Sequence, residues 1–205
     1  MSLLPISYFG DPVLRTKGAR IESFDAELAR FADDMVETMR DERGIGLAAQ
    51  QVGRALQFFV VDLRSDKGEA PDFTWSYDGK PGAPLDSFMP LAVANASLEI
   101  LPDDEWLYEE GCLSFPGLRG EVARQEKVRI RYQDLRGAAH EIVCDGLFAR
   151  CLQHEHDHCQ GVLFIDRMEP RDLARIRNKV VQLKRDTEAE LKARKKAAKD
   201  AKPSA

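Results

Sequence analysis

Apolar residues near the N-terminus of this 205-residue chain recur every three to four positions, as they do along one face of a helix. The residues with this spacing are Leu28, Phe31, Met35 and Met39. Gly44 follows where such a helix would end. The pattern predicts an amphipathic helix over about 25–42, with its apolar face in the core.

Shorter apolar runs later in the chain predict strands. Residues 56–63 and 127–135 are rich in β-branched and aromatic side chains, and a further strand is predicted over 140–146. A helix containing residues 153–161 is expected to follow. Residues 64–87 are rich in Gly, Pro and Asp and predict a long loop.

From Pro170 onward the residues are mostly charged and predict a long helix with a frayed end. The predicted strands outnumber the helices and are not interleaved with them, which favours an α+β fold over a doubly wound sheet. We expect antiparallel or mixed sheets packed around a central helix that carries the histidines, with an N-terminal helix and a long C-terminal helix.

The composition is that of a globular protein, with 43% hydrophobic and 32% charged residues. No run approaches the roughly 18 apolar residues of a membrane span, and the N-terminus lacks the features of a signal peptide. We therefore expect a cytoplasmic protein without membrane contact or specific DNA binding. The four cysteines include no CxxC pair, which argues against a disulfide framework or a four-thiolate zinc site.

Charge divides the chain into two parts. Residues 167–205 contain 13 Lys and Arg against 6 Asp and Glu, a balance of +7, whereas the whole chain carries −5. Residues 1–166 therefore carry −12. The contrast predicts one domain over 1–166 and a basic helical extension over 167–205 with a function of its own.

Three of the four histidines lie in the segment QHEHDHCQG, residues 153–161. In a helix each residue turns by about 100°, so His154 and His158 share one face, Glu155 lies beside them and His156 points the opposite way. Such a His pair, with a Glu after the first His, binds zinc-like metals and supplies a general base. It gives two ligands, and the third must come from elsewhere.

The identity of the third ligand decides the class of chemistry. A metzincin peptidase would need a histidine at the position of Phe164, and the acidic alternatives, Glu188 and Glu190, lie in the basic tail. Cys112 is the better candidate, because the preceding Gly111 lets the backbone approach a ligand closely. A cysteine considered alone more often packs as a small hydrophobic residue, so a peptidase remains an alternative at this point.

Three stretches together resemble the signature motifs of peptide deformylases. GIGLAAQQ at 44–51 corresponds to G-Φ-G-Φ-A-A-x-Q, where Φ is apolar. EGCLS at 110–114 matches the second motif in full, and QHEHDH at 153–158 matches Q-H-E-x-D-H. The stretches occur in the family's order, and the resemblance covers about 5–166. Without the other two stretches, the glycines of the first would equally fit a tight turn.

The resemblance implies a metal-dependent hydrolase that removes the N-formyl group from the initiator methionine of new proteins and releases formate. Cys112, His154 and His158 would bind one divalent metal. Fe²⁺ is the family's usual ion, and Zn²⁺, Ni²⁺ and Co²⁺ also suit one thiolate and two imidazoles. A metal-bound hydroxide would attack the formyl carbon, with Glu155 as general base and then general acid.

The resemblance also assigns residues around the metal. The Gln51 amide and the backbone N–H of Leu113 would stabilise the negative charge that develops on the formyl oxygen. Asp157 would support the site by hydrogen bonding, and Glu110 would pair with Arg124. The residues expected to bind the peptide and its methionine side chain are Ile45, Gly46, Gly111, Leu147 and Cys151.

Three positions differ from the pattern of many relatives. Arg150 stands where many bacterial members have an apolar pocket residue, which puts the shape of the methionine pocket in question. His156 occupies a variable position and is expected to point away from the metal, and Cys159 replaces a leucine.

The basic extension is suited to docking on ribosomal RNA, where formylated nascent chains emerge. Two alternatives to a deformylase stay open: a zinc peptidase and a non-catalytic relative that only binds peptide or metal.

Overall fold

A computed structural model of the chain describes residues 2–64 and 73–200. In these ranges the helices are α1 (Ala26–Asp41), α2 (Leu85–Phe88), α3 (Gly146–Cys159) and α4 (Pro170–Asp200). Short 3-10 turns lie at Pro12–Arg15, Ala49–Val52 and Phe164–Asp166. No helix in the described ranges combines the length and the apolar character needed to cross a bilayer.

Strands account for most of the remaining regular structure. Those in the described ranges are β1 (Gly46–Ala48), β2 (Phe58–Val61), β3 (Trp75–Tyr77), β4 (Lys80–Pro81), β5 (Leu91–Ile100), β6 (Glu105–Gly111), β7 (Arg119–Gln125), β8 (Val128–Gln133) and β9 (Ala139–Cys144). Seven of them form a sheet in the order β1-β2-β5-β8-β9-β3-β4, and β6 pairs with β7 in a second sheet. The named pairs are antiparallel, which confirms the predicted α+β class.

Helix α1 begins where the sequence predicts. Asp25 caps it, because its carboxylate accepts hydrogen bonds from the backbone N–H groups of Glu27 and Leu28 at 2.9 and 3.1 Å. Met35 and Met39 on its apolar face are fully buried. The predicted helix is confirmed to within one residue at each end.

The predicted strands at 56–63, 127–135 and 140–146 correspond to β2, β8 and β9. Strand β5 was not predicted from the sequence. Its alternation is broken at Asn95, whose backbone is left-handed (φ 54°), and the pairing with β8 shifts register there. A bulge of this kind interrupts the alternation of apolar and polar residues by which a strand is predicted.

The acidic segment before Cys112 forms strand β6. Successive side chains of a strand point to opposite faces. Glu110 consequently points inward and is 6% exposed, whereas Glu109 faces solvent.

The loop predicted over 64–87 is only partly a loop. Residues 65–72 lie outside the described ranges, and the remainder includes β3, β4 and the start of α2. Trp75 organises this segment, since its ring packs against Phe88 and Phe148 with centroid distances of 4.4 and 5.8 Å. Two aromatic contacts therefore give order to a stretch whose Gly and Pro content predicts none.

Helix α3 carries the histidines and packs against β1 and β2. Phe148, Ala149 and Leu152 on it are fully buried in the main core. Asp145 precedes the helix and accepts a hydrogen bond from the backbone N–H of Thr74 at 2.5 Å. The helix is thus held along one side, and its positions 154 to 158 are fixed relative to β1.

Helix α4 is packed on the body along its first half. An apolar stripe on this half faces a core cluster; its members are Leu173, Ile176, Val180 and Leu183. Just before the helix, Met168 is 7% exposed and pairs with Val122 of β7 in an isolated bridge. Thr187 is the last buried residue of α4 among those described. The predicted long helix is therefore confirmed, its first half is packed on the body, and the last residues of the predicted frayed end, 201–205, lie outside the described residues.

Candidate active site

The three predicted metal-ligating side chains meet at one point. Cys112 directly follows strand β6, and His154 and His158 lie one turn apart on α3. The thiol sulfur and the nearest nitrogen of each imidazole all lie within 4.8 Å of one another. Ligand bonds of about 2.0–2.3 Å to one ion would suit such a triangle. One thiolate and two imidazoles form a donor set that fits iron, zinc, nickel or cobalt.

His154 is oriented by a carboxylate behind it. Its Nδ1 donates to Oε2 of Glu110 at 2.9 Å, which leaves Nε2 facing Cys112. Burial lowers the pKa of His154, but hydrogen bonds with Cys112 and Glu110 outweigh it and raise the pKa to about 10. A metal ion would replace that proton, so that metal binding releases it.

His158 lies deeper. Its Nε2 is 3.4 Å from the sulfur of Cys112, and the residue is 1% exposed. Burial lowers its pKa well below the usual value, and the nearby His154 adds to this effect. The ring is therefore neutral at physiological pH, the state in which an imidazole can bind a metal.

Glu155 lies beside the ligands without being one of the three. It is 4% exposed, and its Oε2 has no hydrogen-bond partner among the described residues. Burial raises the pKa of Glu155 to about 7; Glu110 adds to the rise, and His154 opposes it. A carboxyl group with such a pKa is suited to exchanging protons at neutral pH. Gly46 of β1 makes room for this side chain, since a Cβ there would lie 2.8 Å from its Cγ and Cδ.

The two adjacent glutamines point to different places. The side-chain oxygen of Gln51 accepts a hydrogen bond from the backbone N–H of Ala48 at 2.8 Å, and its amide nitrogen lies 3.4 Å from the sulfur of Cys112. The amide of Gln50 instead donates to the carbonyl of Leu56 at 3.2 Å. Only Gln51 lines the cleft above the ligands.

A cleft of about 650 Å³ opens over this centre. Its lining includes all the predicted site residues other than His158, namely Ile45, Gly46, Gln51, Gly111, Cys112, Leu113, Leu147, Cys151, His154 and Glu155. Ile45 is 44% exposed at the rim, whereas Cys151 is 4% exposed in the wall. The cleft thus has an accessible edge and a buried apolar wall close to the ligands.

A buried ionic network lies behind the ligands. Arg124 donates to both oxygens of Glu110 at 2.6 and 3.0 Å and to Asp157 at 2.8 Å. Burial opposes ionisation of Glu110, but the hydrogen bonds from His154 and Arg124 outweigh it and hold its pKa well below the usual value. Arg167 also binds Asp157, at 2.7 Å. Sequence reasoning missed Arg167, because nothing in a lone arginine ten residues after Asp157 indicates the contact.

The three positions that differ from many relatives lie in different environments. Arg150 lines the cleft, yet its guanidinium turns to Glu110 at 2.7 Å. His156 is half-buried, bonds to the backbone at Ala96 and does not line the cleft. Cys159 is 1% exposed, and its sulfur lies 3.8 Å from the carbonyl oxygen of Phe58.

Three protein donors beside an open cleft, with a buried carboxyl group next to them, define a candidate mononuclear metal-dependent hydrolase on an α+β fold. Phe164, where a metzincin would have its third histidine, is instead buried and stacks near His154 at 6.5 Å.

The chain belongs to the polypeptide deformylase family, whose model matches residues 3–174. A peptide deformylase of Opitutus terrae is 52% identical over 193 residues, covering 92% of this chain and 97% of the relative. The solved structure of a plant peptide deformylase, PDF1B, has a TM-score of 0.77 at 35% identity and covers 91% of this chain and 92% of its own. A Synechococcus elongatus peptide deformylase in complex with actinonin has a TM-score of 0.69 at 38% identity, over 84% and 85% of the two chains.

Family membership establishes an enzyme: deformylases are metal-dependent hydrolases that remove the formyl group from the N-termini of nascent polypeptides. The peptidase and the non-catalytic alternatives are thereby set aside.

Proposed function

We propose that Cys112, His154 and His158 hold one divalent metal ion at which the formyl amide of an N-formylmethionyl chain is hydrolysed. The observation that carries this proposal is the convergence of three donor atoms within 4.8 Å, beside the cleft and next to Glu155. When bound, such an ion lowers the pKa of a coordinated water from 15.7 to about 7 and so supplies a nucleophile.

Glu155 is the proposed general base and general acid. It takes a proton from the attacking water and passes it to the leaving amine of methionine. Its burial and its pKa of about 7 support this role, because the side chain can both accept and release a proton near neutral pH. The missing hydrogen-bond partner of its Oε2 among the described residues also supports it.

The proposed stabilisers of the developing oxyanion are the side-chain amide of Gln51 and the backbone N–H of Leu113. The orientation of the Gln51 amide supports this role: its oxygen accepts a hydrogen bond from the backbone N–H of Ala48, and its N–H₂ group faces the ligands. Removing one such donor typically costs about 2.7–4 kcal/mol of transition-state stabilisation.

The substrate peptide is proposed to extend along the cleft, where the backbone at Ile45, Gly46 and Gly111 can pair with it as a strand does. Leu147 and Cys151 would line the pocket for the methionine side chain. Burying that side chain is worth about 1.5–3 kcal/mol, which is enough to favour methionine over small residues.

Formate release from a formyl-Met tripeptide by the metal-loaded protein tests this function, with the acetylated tripeptide and casein as control substrates. We expect activity on the formyl peptide alone. Glu155→Gln should lower kcat by about 10²–10⁴-fold at unchanged metal content. The matched control is Glu141→Gln, whose carboxylate pairs with Arg131 on the sheet and should leave kcat unchanged. Equal activity of the two variants would contradict the proposed role of Glu155.

The basic distal part of α4 is a proposed docking surface for ribosomal RNA. Lys192, Lys195 and Lys196 are exposed there, beyond the packed half of the helix. Changing the three lysines to Glu should abolish co-sedimentation with ribosomes at low salt while leaving hydrolysis of the free formyl peptide unchanged. Co-sedimentation equal to that of the unchanged protein would dismiss the docking proposal.

A further inference from the structure

Arg150 lies on the face of α3 that lines the cleft, but its guanidinium is bonded to Glu110 behind the ligands. It lies one turn before His154 and on the same helix face as Leu147 and Cys151, so that all four residues line the cleft. Its side chain is nevertheless only 5% exposed. A buried guanidinium is costly unless its charge and its N–H groups are matched, so its partners identify its role.

Both terminal nitrogens of Arg150 have hydrogen-bond partners, whereas its Nε has none among the described residues. Nη1 donates to Glu110 at 2.7 Å and to the carbonyl of Val122 at 3.0 Å, and Nη2 donates to the carbonyl of Trp106. Its Cζ lies 4.7 Å from the ring centroid of Trp106 and 5.6 Å from that of Tyr108. A planar cation over aromatic rings together with a fork of donors is specific to arginine; a lysine could supply only the charge.

Glu110 receives four hydrogen bonds, as many as a carboxylate accepts. Oε1 accepts from Arg124 at 2.6 Å and from Arg150 at 2.7 Å. Oε2 accepts from Arg124 at 3.0 Å and from His154 at 2.9 Å. The carboxylate therefore cannot rotate without breaking a bond to a cation, and the direction in which Oε2 meets the imidazole is fixed.

The two arginines are not equivalent. Arg124 divides its charge between Glu110 and Asp157, and Asp157 is also bound by Arg167. Arg150 has no carboxylate partner besides Glu110 among the described residues. It is thus the cation that serves Glu110 alone.

We infer that Arg150 is a positioning residue of the metal centre: it anchors Glu110, which holds His154 in the orientation and tautomer that present Nε2 to the metal. This inference rests on the proposed function, in which His154 is a ligand. Groups that orient metal-ligating histidines typically change metal affinity by 10–100-fold when removed. Arg150 acts through Glu110, so we place its effect at the lower end of that range.

Co²⁺ binding by the metal-free protein tests this inference, through a chelator-competition dissociation constant and the d–d absorption bands of the bound ion. Arg150→Met should weaken Co²⁺ binding about 10-fold and shift the bands. Arg150→Lys should recover part of the affinity, because it returns a positive charge to Glu110. The control is Arg129→Met, which removes an arginine paired with Glu99 on the sheet and should change neither readout.

The free energy of unfolding of each metal-free variant separates positioning from general stability. An Arg150→Met protein with unchanged Co²⁺ affinity and unchanged bands would overturn the inference, whatever its stability. Should this variant not fold, Arg150→Lys decides: an affinity about threefold weaker supports the inference, and an unchanged affinity overturns it. Failure of the proposed function looks different, because the unchanged protein would then bind Co²⁺ no better than a His154→Ala variant.

Discussion

Gly46 and Glu155 are in such close contact that no other residue fits at position 46 without moving the carboxylate. A Cβ there would lie 2.8 Å from the Cγ and Cδ of Glu155. Real Cβ atoms essentially never come that close to such neighbours, so one partner must shift. The second glycine of GIGLAAQQ is thus explained by packing against the proposed general base.

The first prediction follows from this contact. Gly46→Ala should displace the Glu155 side chain and lower kcat about 100-fold, the lower end of the range for loss of a general base. Gly79→Ala is the matched control, because a Cβ added there would meet nothing within 4 Å. The φ of +75° at this position makes alanine strained, so stability changes without a steric contact. The control should lose about 1 kcal/mol of stability and no activity. Similar kcat values for both variants would count against the Gly46–Glu155 contact.

The second prediction separates the adjacent glutamines. Gln51→Ala should lower kcat by about 10²–10³-fold, because it removes a donor to the developing oxyanion. Gln50→Ala should leave kcat within a few-fold of the unchanged enzyme. It should instead lower the free energy of unfolding by about 1–3 kcal/mol, since the carbonyl of Leu56 loses a buried donor. Steady-state kinetics and urea unfolding measure the two effects, and equal losses of kcat would refute the assignment.

The third prediction concerns stability in acid. Burial raises the pKa of Asp62, but hydrogen bonds from Arg64 and Arg40 outweigh it and lower the pKa from 3.8 to about 2. Since the folded pKa is the lower one, the stabilisation is complete above about pH 4 and is lost as the pH falls towards 2. Both arginines are partly exposed, so the contribution is about 1 kcal/mol.

Urea unfolding at pH 7 and at pH 2.5 checks this prediction, because the first value lies above that roughly two-unit window and the second lies in its lower half. Asp62→Asn should be less stable than the unchanged protein at pH 7, and most of the difference should vanish in acid. A difference that stays constant between the two pH values would exclude the ionised Asp62 as its source.

The fourth prediction concerns the resident metal. Cys112 is only partly buried, and a thiolate bound to ferrous iron is open to oxidation in air. The iron-loaded enzyme should lose activity in aerated buffer, whereas the nickel- and cobalt-loaded forms should keep it. Residual activity on the formyl peptide after timed exposure to air measures this. Identical decay for all three metals would argue against iron as the labile component.

Sequence patterns predicted those features that depend on local periodicity or on short motifs. Helix α1 could be predicted because Asp25 caps it and its methionines recur at helical spacing. Strand β5 could not, since the left-handed Asn95 interrupts its alternation, and β3 could not because the stacking of Trp75 on Phe88 is a tertiary contact. Glu110 was correctly expected to pair with Arg124. Its bond with Arg150 could not be predicted, because it depends on how α3 packs against β6.

The junction between the body and helix α4 has a practical consequence. Arg167 binds Asp157, which shares Arg124 with the carboxylate behind His154, and Met168 packs under β7. A fusion partner or affinity label joined beyond Thr187 leaves these contacts intact. One joined at the start of the helix would disturb the contacts that support the ligands. Shortened versions of this protein should therefore retain the packed first half of α4 and end after Thr187.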